Sequence, residues 1–252
     1  MPFSVVITTF NSARTLPQCL ASVAFADDIV VLDSQSTDAT LALARASGAR
    51  LFSQPFKGYA LQKAEAVALA AHDWILLLDS DEHLASGSEA AIRNAISCDS
   101  AHGYTLPRIE RIFWRYQHRL TRPNRFLRLF DRRYFTMSQQ RVHESPQISG
   151  AVGELDICLI HEGDVDIAGK VEKLNKYSTL QLSDIKRARS LAVRMTIYPI
   201  WYFMRSYFLR RQCMSGWAGF INSVELAHYA FLKYAKRYEV EQAVIQKYNN
   251  QP

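Results

Sequence analysis

Apolar residues fall in short blocks along the first hundred positions, with helical spacing between them. "FSVVITTF" (3–10), "DIVVLD" (28–33), "ARLFSQ" (49–54) and "WILLLD" (74–79) read as strands. In the last, Ile75, Leu76, Leu77 and Leu78 follow one another, as expected of a strand covered on both faces. Leu16, Leu20 and Val23 line one face of an intervening helix, which Thr15 and Gln18 open at capping-box spacing with Pro17 in the first turn. "STDATLALARASG" (36–48) reads as a helix capped by hydroxyl and carboxylate groups and closed at Gly48, and "YALQKAEAVALAAH" (59–72) is rich in strong helix formers. The alternation predicts βαβ units and a doubly wound, mostly parallel sheet: an α/β fold.

After a helix near residues 88–97 the pattern breaks. "GYTLPR" (103–108), "RFLRLF" (125–130) and "LDICLIHEG" (155–163) are expected to extend the sheet, joined by basic or Gly-containing segments that shape an acceptor site. Helical periods return from about Asp166. Trp217, Phe220, Ile221, Val224, His228, Phe231, Leu232 and Ala235 recur at i, i+3, i+4 and i+7, the mark of an amphipathic helix.

With 252 residues, 48% of them hydrophobic, the chain can bury one large core with an appendage. The four cysteines, Cys19, Cys98, Cys158 and Cys213, form no CxxC pair, and "MPFSVVITTF" has none of the parts of an export signal, so a reducing cytoplasm is expected. The late apolar stretch Met195–Met204, set between Arg194 and Arg205, falls short of the roughly 20 residues that span a bilayer. The net charge of +6 is unevenly spread: residues 101–140 carry 9 basic against 2 acidic side chains and residues 181–252 carry 11 against 4, while 1–100 and 141–180 are acidic. Such blocks suit an anionic ligand or surface, or else a solvated basic face.

The acidic excess has a focus in "ILLLDSDEHL" (75–84), where the apolar run ends in Asp79, Asp81 and Glu82. Two aspartates one residue apart at a strand terminus can approach a cation from one side, because the chain is leaving the strand there. Carboxylate oxygens favour Mg²⁺ or Mn²⁺, which keep water and phosphate as their other ligands. Other strand ends carry Thr8, Thr9 and Asn11, then Asp33, Ser34 and Ser36, and in an open α/β sheet such ends share one crevice. A DxD pair alone is also what a solvated turn looks like, and Asp33 alone could be a helix N-cap.

The order of the pieces is more specific. "SVVITTFNSARTLPQCLASV", "DDIVVLDSQSTDAT" and "GYALQKAEAVALAAHDWILLLDSDE" together resemble family 2 glycosyltransferases, and "RFLRLF", "RVHESP" and "VGELDICLIHEG" are similar to the subgroup of lipopolysaccharide-core glucosyltransferases. The resemblance runs through residues 3 to about 183. It implies a GT-A type nucleotide-diphospho-sugar transferase domain at 1–183, with a nucleotide-sugar half at 1–100 and an acceptor half at 101–183, and a basic, aromatic-rich helical extension at 184–252. It also implies inverting transfer of a hexose, glucose from UDP-glucose above others, to a glycan or glycolipid acceptor of the cell envelope.

By the same resemblance, Thr8, Thr9 and Asn11 line the nucleotide pocket, Asp33 accepts from the base ring, and Ser36 and Asp38 lie near the ribose. Lys63 approaches the diphosphate, Asp79 sits beside ribose and metal, and Asp81 binds the metal. Glu144 is the expected catalytic base, and His143 and His161 are expected at phosphate or metal. Ser12, Thr9 and Ala64 stand where many relatives have Glu, Pro and Asn. Glu144 could instead pair with Arg141, and the two histidines could be structural.

Nine arginines between Arg108 and Arg133, interleaved with Phe113, Trp114 and Tyr116, suit an acceptor's phosphates or a solvated surface. Arg194, Arg205, Arg210 and Arg211 beside Trp201, Tyr202, Phe203 and Phe208 suit an anionic membrane surface. Two other functions compete. A haloacid-dehalogenase-type phosphotransferase also ends a strand in DxD, but places it on its first strand. A nucleic-acid-binding protein suits the basic segments but not the acidic crevice, so no nucleic-acid partner is expected.

Overall fold

The structure, a computed structural model, describes residues 1–98, 100–138, 145–163, 166–183 and 191–249. Its contacts divide the chain into two units, Met1–Glu110 with Pro123–Glu162, and Arg111–Arg122 with the residues from Gly163 onward.

In the first unit, β1 (Phe3–Thr9), β2 (Asp28–Asp33), β3 (Arg50–Ser53) and β4 (Trp74–Asp79) form a parallel set in the order β3-β2-β1-β4. Helices α1 (Leu16–Ser22), α2 (Thr40–Ala46) and α3 (Tyr59–Ala68) connect them, as the alternating pattern predicts. Ile75 to Leu78 of β4 are fully buried. Ile75 and Leu77 join Val6, Val30 and Leu32 against Ala66 and Val67 of α3, while Leu76 and Leu78 pack with Ile7, Val31, Leu16 and Leu20 on the opposite face. Both faces are covered, which is why this strand carries no alternation.

Beyond β4 come β5 (Glu82–Leu84), α4 (Ser88–Ser97), β6 (Gly103–Ile112), β7 (Arg115–Tyr116), β8 (Asn124–Asp131), β9 (Phe135–Met137), β10 (Pro146–Ile148), β11 (Val152–Glu154) and β12 (Leu159–His161). The sheet continues from β4 as β8-β6-β12-β5, with β11 also on β6; β8 is antiparallel to its neighbours, and β9 and β10 form a separate hairpin. The β6–β8 ladder slips at Arg128: Tyr104 pairs with Leu129 and Thr105 with Leu127, leaving Arg128 as a bulge.

Three local expectations are corrected. Thr15 makes no side-chain cap; the carbonyl of Ser12 takes the amides of Thr15 and Leu16, and Gln18 turns to His83. Helix α2 begins at Thr40 rather than Ser36, because Ser36 and Asp38 bond the loops before it. Of residues 155–163 only Leu159–His161 is strand, and β11 precedes it.

In the second unit, β7 pairs with the end of β6, and α5 (Ile167–Leu180), capped by Asp166, packs with α6 (Leu191–Met204) on α7 (Gly216–Asn249). A π-turn at Arg205–Leu209 and a 3₁₀ turn at Gln212–Ser215 join α6 to α7. The unit boundary at Glu162 differs from the 183/184 division expected from the sequence, because α5 packs on α7. Among the described residues no helix is long and apolar enough to cross a membrane.

Candidate active site

The carboxyl ends of β1 and β2 leave the sheet through two tight loops. Asn11 and Gln35 hold positive φ, 47° and 64°, a region that Asn tolerates better than most residues. Asn11 N donates to Ser36 Oγ at 2.8 Å, and Asn11 Oδ1 accepts from Thr37 N at 2.9 Å. Ser36 in turn donates to Asp33 through Oγ at 2.5 Å and N at 2.8 Å, and Asp33 is fully buried. Asp38 accepts from Ala13 N and Thr40 N. Thr9, in register with Asp33, is buried with a hydroxyl that has no partner.

Thr8 lies in register with Asp79 across β1 and β4, so both side chains leave the sheet on the face covered by α3. Lys63 shares the core-facing side of α3 with Ala66 and Val67, and its Nζ stands 2.8 Å from Asp79 Oδ1. Arg128 Nη2 donates to Asp79 Oδ2 at 2.8 Å and to Glu82 Oε1 at 2.6 Å. Burial would raise the pKa of Asp79, but the charges of Lys63 and Arg128 outweigh it and hold the carboxyl well below the usual range. A bulge commonly redirects a side chain, and the one at Arg128 accounts for a guanidinium at this carboxylate pair from the run Phe126–Phe130.

Asp81, two residues past the strand, is more accessible than Asp79. Its Oδ2 lies 3.2 Å from His161 Nε2, while His161 Nδ1 lies 2.5 Å from Glu110 Oε2. His161 on β12 is in register with both Glu110 and Glu82, and Arg108 bonds those same two acids, at 2.8 and 3.1 Å. Burial works against the charged imidazole, but the hydrogen bonds to Asp81 and Glu110 prevail and push its pKa up to about 10.

The structure thus brings Lys63, Asp79, Asp81 and His161 into one charged row beside Thr8. Thr9, Asn11, Asp33, Ser36 and Asp38 form the adjoining loop pair, linked to the row by Ser12 Oγ and Ser80 Oγ at 2.7 Å. His143 and Glu144 lie outside the described residues. Glu82, Arg108, Glu110 and Arg128 complete the row; the sequence marks Glu82 only as part of the acidic focus and the two arginines only as part of the basic run, and assigns Glu110 no role. Arg125 of β8 and Arg132 and Arg133 of the turn after it are also paired, with Asp156, Asp73 and Asp131.

Among the described residues no group of three or more His, Cys, Asp or Glu is arranged around a metal position. Asp81 and His161 are two adjacent donors, and the carboxylate behind His161 Nδ1 is the usual orienting partner of a metal-binding imidazole. A donor pair of this kind fits Mg²⁺ or Mn²⁺, whose other ligands are water and substrate phosphate. It does not fit zinc, which takes three or four protein ligands.

Residues 4–145, more than half of the chain, match the family model "Glycosyl transferase family 2". The chain belongs to this family. Its sheet and flanking helices are accordingly of GT-A type, and this family 2 enzyme is a glycosyltransferase. The lipopolysaccharide core biosynthesis glycosyltransferase LpsC of Rhizobium meliloti is 32% identical over 254 residues, covering 95% of this chain and 93% of its own. An uncharacterized glycosyltransferase of Rickettsia felis is 30% identical over 249 residues, 92% of this chain and 88% of that one. The crystal structure of S. aureus TarS 1-349 overlaps with a TM-score of 0.47 at 15% identity, over 98% of this chain and 92% of that one, too loosely to bear on function.

Proposed function

We propose that this glycosyltransferase moves a hexose, glucose from UDP-glucose, to a lipopolysaccharide-core or related envelope glycan, inverting the anomeric carbon and requiring Mg²⁺ or Mn²⁺. One observation carries the reading: Asp81 and His161 are juxtaposed at 3.2 Å while the neighbouring Asp79 is neutralised by Lys63 and Arg128. The likeness to LpsC supports the acceptor class.

Asp81 Oδ2 and His161 Nε2 would hold the cation, with Asp79 beside them. When bound, it offsets the charge that develops on the departing diphosphate. With its pKa at about 10 the metal-free ring carries a proton on both nitrogens at neutral pH, so a cation at Nε2 would have to displace the proton facing Asp81, while Nδ1–H stays donated to Glu110. Lys63 turns from Asp79 to the diphosphate. Thr8, Thr9, Asn11, Ser36 and Asp38 line the nucleoside side, and Asp33 reaches the base ring while fixing the turn at Ser36. Glu144 accepts the proton of the acceptor hydroxyl, which must come within hydrogen-bond reach, and His143 stands by the phosphates. The acceptor is membrane-linked, and the enzyme works as a peripheral protein on the cytoplasmic face.

A thermal-shift panel of nucleoside diphosphates and their sugars, with and without Mn²⁺, tests the donor. Ligands that bind the folded state raise the melting temperature. Stabilisation by UDP and UDP-glucose only with the metal is expected. A response to another nucleotide alone would overturn the donor, and an equal response without metal would overturn the cation.

A further inference from the structure

Helix α6 presents an apolar face to solvent. Val193, Ile197, Ile200, Trp201 and Met204, with Phe208 in the following π-turn, recur at i, i+4, i+7, i+8 and i+11, and each is between 44% and 66% exposed. This stripe is as wide as the core-facing side of an ordinary amphipathic helix, but no described residue of the unit covers it. Ring contacts extend it without a break: Phe208 meets Tyr207, Tyr207 meets Phe220, and Phe220 meets Trp217, which is 76% exposed.

The polar edge of this face has one sign. Between Leu191 and Gly216 the chain carries Arg194, Arg205, Arg210 and Arg211 and no acidic residue. Arg194 turns inward onto Tyr198 and Tyr234, whereas Arg205 and Arg211 are exposed at the π-turn that follows the stripe. Arg210 N bonds the carbonyl of Arg205 at 2.9 Å, closing the π-turn, and Arg211 sits at φ 59°, a strained conformation for a non-glycine residue. An anionic surface suits the exposed Arg205 and Arg211 beside an apolar face.

We propose that this face of α6 and its π-turn lies on a bilayer containing anionic phospholipid, the aromatic and aliphatic side chains entering the interface and Arg205 and Arg211 meeting lipid phosphates. The helix has 14 residues, too few to span the roughly 30 Å of hydrocarbon but suited to lying in the interface. Neither an apolar groove nor a second copy of this chain matches it as well. A groove offers no anions, and a two-fold copy would set Arg205, Arg210 and Arg211 against themselves. The inference deepens the proposed transfer to a membrane-linked glycan and rests on that reading for its purpose, not for its geometry.

Flotation of the full chain with phosphatidylcholine vesicles, pure or with about a third phosphatidylglycerol, tests it without any glycan present. The chain is expected to float with the anionic vesicles only and to lose roughly tenfold in partitioning at high salt. Ile200→Glu with Trp201→Glu, and separately Arg205→Ser with Arg211→Ser, should each lower binding at least tenfold with unchanged circular dichroism. Equal flotation with both vesicles, no flotation, or variants that bind like the parent would each overturn the proposal. So would sedimentation of the parent as a dimer that Ile200→Glu converts to monomer. The thermal response to UDP and Mn²⁺, read on the same variants, separates the two ideas: if it persists while flotation fails, only lipid docking falls.

Discussion

The Nδ1 of His161 stands 2.5 Å from Oε2 of Glu110, so the ring nitrogen that faces Asp81 is fixed by a carboxylate on the neighbouring strand. Substituting an orienting partner of this kind usually weakens metal affinity by about 10–100-fold. Glu110→Gln should therefore weaken Mn²⁺ binding in the presence of UDP by about that factor, read by titration calorimetry, while saturating Mn²⁺ restores most of the turnover. An unchanged Mn²⁺ affinity would show that Glu110 is a structural group only.

Arg128 serves Asp79 and Glu82 through the same nitrogen, and both Arg128 and Glu82 are buried. Removing the guanidinium leaves the buried Glu82 carboxylate to Arg108 and the half-buried Asp79 to Lys63. Arg128→Met should cost about 3–5 kcal/mol in urea unfolding, the usual effect of breaking a buried pair from one side. Adding Glu82→Gln should recover part of that loss. Strict additivity of the two changes would mean that they do not interact.

Asp28 ties four segments together: its carboxylate accepts from Arg50 at 2.8 and 2.9 Å, from Ser4 Oγ at 2.7 Å and from the amide of Ala71 at 2.9 Å. Burial opposes ionisation, but these donors outweigh it and bring the pKa to about 2. Because the folded value lies below that of the unfolded chain, the stabilisation is complete above about pH 4 and disappears as pH falls toward 2. Asp28→Asn should cost about 1–2 kcal/mol at neutral pH, Arg50 being half exposed, and should flatten the loss of stability over that acid range. A variant with the parent's acid profile would contradict this.

Lys63 contacts Asp79 from the core side of α3 and is expected to move to the diphosphate. Lys63→Met should raise the KM for the nucleotide sugar by about tenfold or more, the equivalent of one lost charged hydrogen bond, with a smaller effect on the KM for acceptor. Equal effects on both KM values would place the lysine away from the donor.

Much of the candidate site's backbone setting could be read from the chain because it is local. The run from Trp74 to Asp79, the pair Asp79 and Asp81, and Lys63 on a helix with Ala66 and Val67 all follow from periodicity and chain order. The partners of those residues were not legible. Glu110 and His161 meet because strands 51 residues apart share a register, and Arg128 reaches Asp79 through a bulge that no alternation pattern encodes. The start of α2 was misplaced for a related reason: Ser36 and Asp38 look like helix caps in sequence, but they bond the loop at Asn11 and Ala13 from a separate βα unit.

On the proposed reading, Asp81 carries a divalent cation required for binding the donor diphosphate. Electron paramagnetic resonance of Mn²⁺ with UDP, comparing the parent with Asp81→Asn, reads that cation directly. A bound Mn²⁺ signal that needs UDP is expected in the parent and lost in the variant, with both proteins melting alike when no ligand is present. A variant that still binds Mn²⁺ and UDP as the parent does would contradict it.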